Sequence, residues 1–364
     1  MNLLKGILKY VALLFLLLNV QLGFASNENN EVAGAAEFDV REAILEHLAD
    51  SYEWHIITIG QKHFSIPLLV IIRSQESGWH IFSSSKFHHG HGEHKGFYIA
   101  QEGDYKGKIV EKKPSGEEIR PFDISITKNA FSLLLNSAIL IGLIMYVANW
   151  YKKKNQNKDY KTPKGFIAFM EIFIMNINDD LIKPCVGKDY KKFAPYLLTV
   201  FFFIFFNNIT GLIPIFPEGA NVTGNIAVTL VLALFTFVIV NFYGTKEYWR
   251  EIFWPDVPVW LKIPIPIIPV IEVVGIFTKP FALMIRLFAN ILAGHSILLG
   301  LTFLIFVTVE LGPVINSSMT VVSVILSVFI SFVEILVAYI QAYVFTMLSA
   351  VFIGLARVEG HHQH

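Results

Sequence analysis

Apolar and polar positions divide the chain into three regimes. A short apolar run, Tyr10 to Val20, follows Lys5 and Lys9 and precedes the small residues of Gly23-Phe24-Ala25. A positive n-region, a short apolar stretch and a small-residue site read as a secretory signal over 1–25, cleaved after Ala25. The alternative, an uncleaved anchor helix, is disfavoured by the shortness of the run. Residues 26–125 mix polar and apolar positions as an exported segment with its own α+β pattern. Glu42 to Leu48 has the spacing of a short amphipathic helix, and Trp54–Ile59, Phe64–Ile72 and Trp79–Phe82 read as strands separated by glycine-containing turns.

From residue 126 onward the pattern is that of a membrane domain. Phe131–Trp150, Pro195–Ile213 and Ile226–Tyr243 each match one helical crossing, which needs about 20 apolar residues. Phe166–Leu181 is apolar on one side, carries Glu171, Asp179 and Asp180, and reads as an amphipathic surface helix. Ile265–Thr308 and Val314–Leu355 are about twice the length that an upright span needs. Four short spans would need a polar turn inside each run. Gly294 and Gly300 are weak places for one in the first run, and the second has none. Two long, strongly tilted helices forming a hairpin fit better. The predicted class is therefore an all-α polytopic membrane protein with about five crossings, plus the surface helix and the small exported segment.

Composition agrees, with 54% of the residues hydrophobic and a net charge of zero. The placement of the charges is more informative. Lys and Arg crowd 151–193, 244–262 and the C-terminus, while 214–224 and 309–313 contain none. That bias places the basic loops and the C-terminus inside and the N-terminal segment outside. The signal sequence and the charge rule give the same orientation independently, that of a multi-pass protein of a bacterial inner membrane. Cys185 is the single cysteine, so no intrachain disulfide can form, and nothing beside it suggests a base or a metal partner.

Ionisable side chains inside apolar helices are costly and mark function by default. The first long run carries Glu272, Lys279, Arg286 and His295, and the second carries Glu334 and Gln341. Arg286 lies far from either end of its run and cannot lose its charge, so it needs an anion or water at depth. No carboxylate lies within one turn of it on its own helix, so its partner has to come from elsewhere. Lys279 and Arg286, seven apart, share a helical face with Asn290 one turn beyond, and Glu272 projects to nearly the same side. Ser327, Ser331, Glu334, Ala338 and Gln341 form one polar and small stripe. Such a stripe lines a water path or makes helix–helix hydrogen bonds, and His295 with Glu334 could equally be a buried structural pair. Ala289, Ala293 and Gly294 leave room for another helix.

Around these residues the sequence resembles subunit a of the F-type ATP synthase. One matching stretch is Lys279-Pro280 followed by Ile285-Arg286-Leu287-Phe288-Ala289-Asn290-Ile291-Leu292-Ala293-Gly294-His295. A second is Glu334 with Tyr339-Ile340-Gln341-Ala342-Tyr343-Val344-Phe345. The third is Lys191-Lys192-Phe193-Ala194-Pro195 with Phe206-Asn207-Asn208-Ile209-Thr210-Gly211-Leu212-Ile213-Pro214. Three ordered motifs over residues 125–364 make the resemblance specific. It implies that Arg286 is the stator arginine facing a ring of c subunits, with Asn290 and Gln341 beside it. His295 and Glu334 would act jointly in one half-channel, and Glu272 and Lys279 match acidic and basic family positions. It also implies b subunits of the peripheral stalk, the rest of the F1Fo complex and membrane lipids as partners, and protons as the transported ion. No cofactor and no nucleic acid are expected. The motif G-x-x-x-x-G-K-[ST] is absent, so the chain carries no ATP site.

The enlarged exported segment resembles that of some Bacteroidetes homologues. Its cluster of His88, His89, His91 and His94 with Glu93 is a weak candidate for Zn²⁺ or Cu²⁺ or for a proton-collecting surface, against the plainer reading of a glycine-containing loop. An ion-coupled secondary transporter with an exported sensor domain is the alternative function. It calls for inverted repeats and broken helices, which the sequence does not display.

Overall fold

The computed structural model describes residues 49–59, 62–88, 90, 92–113, 118–156, 162–212, 222–254 and 267–357. The expected signal sequence over 1–25, the helix expected over Glu42–Leu48, His89, His91, most of the 214–224 loop and the C-terminal tail lie outside them. The chain divides into two compact units. One contains the N-terminal segment with the turn of the C-terminal hairpin, and the other contains most of the membrane helices.

Among the described residues of the first unit, eight short strands form three antiparallel sheets. β1 (Glu53–Ile59) pairs with β2 (Lys62–Pro67). β3 (Leu69–Ser74) lies between β4 (Gly78–Ser83) and β8 (Phe122–Asp123). β6 (Ile109–Lys112) lies between β5 (Phe97–Ile99) and β7 (Glu118–Ile119). The run Phe64–Ile72, expected as one strand, is two. It breaks at Pro67-Leu68, because proline lacks the donor that a continuing ladder needs. The core is the side of β3 that carries Val70 and Ile72, packed with Tyr52, Phe87, Phe97 and Ile109.

The strands lead directly into the first long helix, α1 (Lys128–Gln156). Its first backbone donors are satisfied from the N-terminal segment. Lys128 N–H donates to the Ser51 carbonyl at 2.8 Å, and Asn129 N–H donates to Asp50 Oδ1 at 3.0 Å. A carboxylate at a helix start also complements the helix dipole. Trp54 meets Phe131 edge-on at 5.5 Å.

The stretch expected as a surface helix, Phe166–Leu181, is helical: α2 (Phe166–Asn176) runs through a π turn (Ile177–Ile182) and a short helical turn into α3 (Tyr190–Gly211). Its Phe173 packs among Phe201, Phe202, Phe205 and Tyr339. Helix α4 (Ile226–Phe242) is followed, across a bend of 101°, by α5 (Lys246–Phe253). The last two elements are α6 (Ile267–Val307) and α7 (Pro313–Ala356), of 41 and 44 residues. Both are continuous, as the two-helix reading expects, and neither Gly294 nor Gly300 interrupts α6. At about 1.5 Å per residue each is about twice the thickness of a hydrocarbon core. Among the described residues four helices are long and apolar enough to cross a membrane, or five when the α4–α5 pair counts as one span.

Candidate functional site

Helices α6 and α7 run antiparallel and are held together by polar contacts at intervals. Near the turn, Thr308 Oγ1 donates to Asn316 Oδ1 at 2.9 Å, and Ser323 donates to the Leu301 carbonyl. Further along, Gln341 Nε2 donates to the Arg286 backbone carbonyl at 2.8 Å. Polar side chains are costly in hydrocarbon unless paired, so each such contact fixes the register of the two helices.

Arg286 stands 19 residues after the start of α6 and 21 before its end (286 − 267 and 307 − 286). Its side chain is exposed, and it forms no ion pair or hydrogen bond among the described residues. The same face of α6 exposes Ala289, Asn290 and Ala293, while Leu283, Leu287 and Ile291, about a quarter-turn round the helix, are buried. The arginine therefore projects from a strip of small residues with its charge uncompensated among the described residues. Gln341, 3% exposed, reaches residue 286 at the carbonyl oxygen.

Nine residues further along α6, His295 meets Glu334, with Nδ1 and Oε1 3.3 Å apart. The approach lacks hydrogen-bond geometry, and Nδ1 and Glu334 Oε2 are buried without a hydrogen-bond partner among the described residues. Glu334 is only 7% exposed. A buried carboxylate oxygen without a donor is unfavourable unless a proton or a water supplies one.

On the far side of Glu334, Ala338 accepts at its carbonyl from Asn208 Nδ2 at 3.4 Å, and Asn208 Oδ1 accepts from Thr223 Oγ1 at 2.6 Å. Asn136 of α1 donates to Asn207 and to Thr210, each at 3.1 Å. These buried polar residues extend the site toward the end of α3, and reasoning from intramembrane charge alone misses them. The signal that could have found them is the pair Asn207-Asn208 inside a run of phenylalanines.

The remaining sequence candidates are apart from these groups. Glu272 and Lys279 are exposed, 14 and 7 residues before Arg286, which is about 21 and 10 Å along a helix. Lys279 Nζ lies 5.9 Å from the Phe352 ring centroid. It borders a cavity of about 30 Å³ with Asn241, Tyr248 and Phe352 among its walls. His88 caps a turn in a left-handed conformation, and the His94 ring packs on Phe82 at 4.9 Å. Burial and the neighbouring Lys95 hold the His94 pKa below its ordinary value. Among the described residues no group of three or more His, Cys, Asp or Glu could hold a metal ion.

The model of the family described as ATP synthase A chain matches residues 131–354, which include every residue of the α6–α7 site. The chain belongs to the ATP synthase subunit a family. A relative from Chlorobium phaeobacteroides (strain DSM 266) named ATP synthase subunit a is 41% identical over 286 residues, 76% of this chain and 79% of that one. The subunit a 2 of Chlorobaculum tepidum is 43% identical over 258 residues, 68% of each chain. The subunit a of Myxococcus xanthus is 41% identical over 250 residues, 66% of this chain and 75% of its own. As a subunit a, the chain is a multi-pass membrane component of the ATP synthase complex and carries no ATP site. A second model, described as a domain of unknown function (DUF8433), matches residues 43–129.

Proposed function

We propose that this subunit a is the proton-conducting stator, with Arg286 as the fixed charge that faces a rotating ring of c subunits. The observation that carries the reading is a permanent cation at the middle of a 41-residue apolar helix, exposed and without a partner among the described residues. Such a charge needs an anion delivered by another subunit. A ring carboxylate that has picked up a proton travels through lipid as a neutral acid. When it reaches Arg286, the guanidinium stabilises the ionised form, since an opposite charge at close range lowers a carboxylate pKa by about 1–3. The proton is then released, and the same positive charge keeps protons from passing straight between the two half-channels.

His295 and Glu334 serve the outer half-channel as a proton relay. Support comes from their 3.3 Å approach and from the undonated oxygen of Glu334. Gln341 and Asn290 set the surroundings of Arg286, the former by its bond to the residue 286 carbonyl. Glu272 is a further acidic group of that outer channel, and Lys279 matches a basic position of the family seven residues after it on α6. The chain is organised as a signal peptide (1–25), an exported segment (26–125) and a membrane domain (126–364), with the exported segment outside and the C-terminus inside. The c ring and the b subunits of the peripheral stalk are its partners.

The deciding experiment is ATP-driven proton pumping by inverted membrane vesicles that carry Arg286→Ala. Pumping is expected to be lost while the mutant subunit is still found in the assembled complex. Normal pumping by that variant would overturn the assignment.

A further inference from the structure

Helix α4 has 17 residues, about 26 Å at 1.5 Å per residue, and matches a hydrocarbon core of about 30 Å only if it stands close to upright. The chain then turns through 101° into α5. Lys246, Glu247, Arg250 and Glu251 make half of the eight residues of α5 charged. Hydrocarbon does not admit such a helix, so the crossing ends at the bend and α5 lies nearly in the plane of the membrane. The bend is held firmly. Thr245 Oγ1 accepts from the Tyr248 amide at 3.3 Å, and the Thr245 amide donates to the Ala356 carbonyl at 2.9 Å. A Cβ on Gly244 would stand 2.6 Å from Tyr248 Cδ1, so glycine is what lets that ring close over the turn.

At about 100° per residue, α5 sorts its side chains into four faces, each a pair spaced by four. Tyr248 and Ile252 turn toward the protein, and Ile252 is 4% exposed. About 100° round from them Trp249 and Phe253 stack at 5.9 Å, with Phe253 58% exposed. About 60° further come Lys246 and Arg250, both exposed and neither in an ion pair among the described residues. Glu247 and Glu251 complete the circle, nearly opposite the aromatic pair. That order fits a bilayer surface. With the aromatics at the boundary of headgroups and acyl chains, the cations beside them reach the phosphates and the carboxylates point to water. Rolling the helix over would press two carboxylates onto the phosphates instead. Two unpaired cations at headgroup height also select for lipids of net negative charge. We propose that α5 is an interfacial helix that binds anionic phospholipid in the leaflet at the end of α4, with Lys246 and Arg250 on the lipid phosphates and Trp249 and Phe253 among the upper acyl chains. Through the bond from Thr245 to Ala356, this anchor also holds the end of α7 at headgroup depth.

The test uses the full chain in its assembled complex, reconstituted into mixed phospholipid vesicles, with Cys185→Ser as background and its residual labelling subtracted. Bimane is attached to Phe253→Cys or to Glu251→Cys. Phospholipids brominated in the upper acyl chain should quench the dye on Phe253→Cys while iodide does not, and Glu251→Cys should show the reverse. On Phe253→Cys, brominated phosphatidylglycerol should quench roughly threefold more strongly than brominated phosphatidylcholine at equal fraction. Adding Lys246→Gln with Arg250→Gln should bring that ratio to about one and leave quenching by phosphatidylcholine in place, whereas Lys246→Arg with Arg250→Lys should preserve the ratio. Quenching of Phe253→Cys by iodide rather than lipid would overturn the proposal, because the face would be in water. Quenching by neither would overturn it in favour of a protein partner. Equal quenching by the two lipids without the charge changes, or a preference that survives the double Gln change, would remove the anionic site.

Discussion

At Gly294 a Cβ would stand 2.6 Å from Glu334 Oε1, so the carboxylate reaches His295 only because residue 294 has no side chain. The obstructing atom is the tip of a flexible side chain, which can swing aside without moving either helix. Gly294→Ala is therefore expected to leave folding and assembly intact while displacing the carboxylate, and to slow coupled proton flow about tenfold, or about 1.4 kcal/mol in barrier. Glu334→Gln keeps the shape and removes the titratable group, so it should slow proton flow at least as much. Vesicle acidification beside a native gel of the complex separates the two effects. Loss of assembly in either variant, or unchanged acidification, would refute the relay. Arg286, Glu334 and Gln341 were legible in the sequence because charge and amide groups inside an apolar run announce their cost. The role of Gly294 was not, because it depends on a carboxylate forty residues further along the chain.

Among the elements, the same kind of substitution has the opposite consequence at the far end of α7. A Cβ on Gly354 would lie 2.0 Å from the Cys185 carbonyl oxygen, and that neighbour is backbone. One of the two elements has to move. Gly354→Ala should cost about 1–3 kcal/mol by overpacking and lower the thermal transition of the purified subunit. Gly300→Ala, with nothing within 4 Å of its Cβ, is the matched control and should be near neutral or slightly stabilising. Equal transitions for the two variants would show that α7 does not bear on the turn at Cys185. The lengths of α6 and α7 were legible because runs of forty apolar residues without a polar turn leave few alternatives. The division of Phe64–Ile72 was obscured by continuous apolar character, although Pro67 carried the signal. The packing of Phe173 on α3 and α7 could not be read, since periodicity shows that a helix has an apolar side but not what covers it.

For the molecule as a whole, contacts and charges bear on the same question. Arg357, just past α7, donates from Nε to Asp189 at 2.8 Å, and Asp189 immediately precedes α3. Lys192 lies 4.1 Å from the ring centroid of Tyr243, just past α4, and Thr245 N–H donates to the Ala356 carbonyl at 2.9 Å. The start of α3 and the ends of α4 and α7 therefore share one side of the membrane. The bonds from Asn136 to Asn207 and Thr210 pair the first half of α1 with the last half of α3, which puts the end of α1 on that side too. These are the ends that carry Lys152, Lys153, Lys154, Lys188, Lys191 and Arg250. Helix pairing alone gives the grouping, and the positive charge supports the proposed direction, inward. With Cys185→Ser as background, Ser77→Cys in the β3–β4 turn and Ser317→Cys at the start of α7 should react with an impermeant maleimide in spheroplasts. Lys153→Cys should react only in inverted vesicles. Labelling of Lys153→Cys in spheroplasts would reverse the proposed orientation, whereas opposite sides for Ser77→Cys and Ser317→Cys would break the helix parity that the proposal of two half-channels needs.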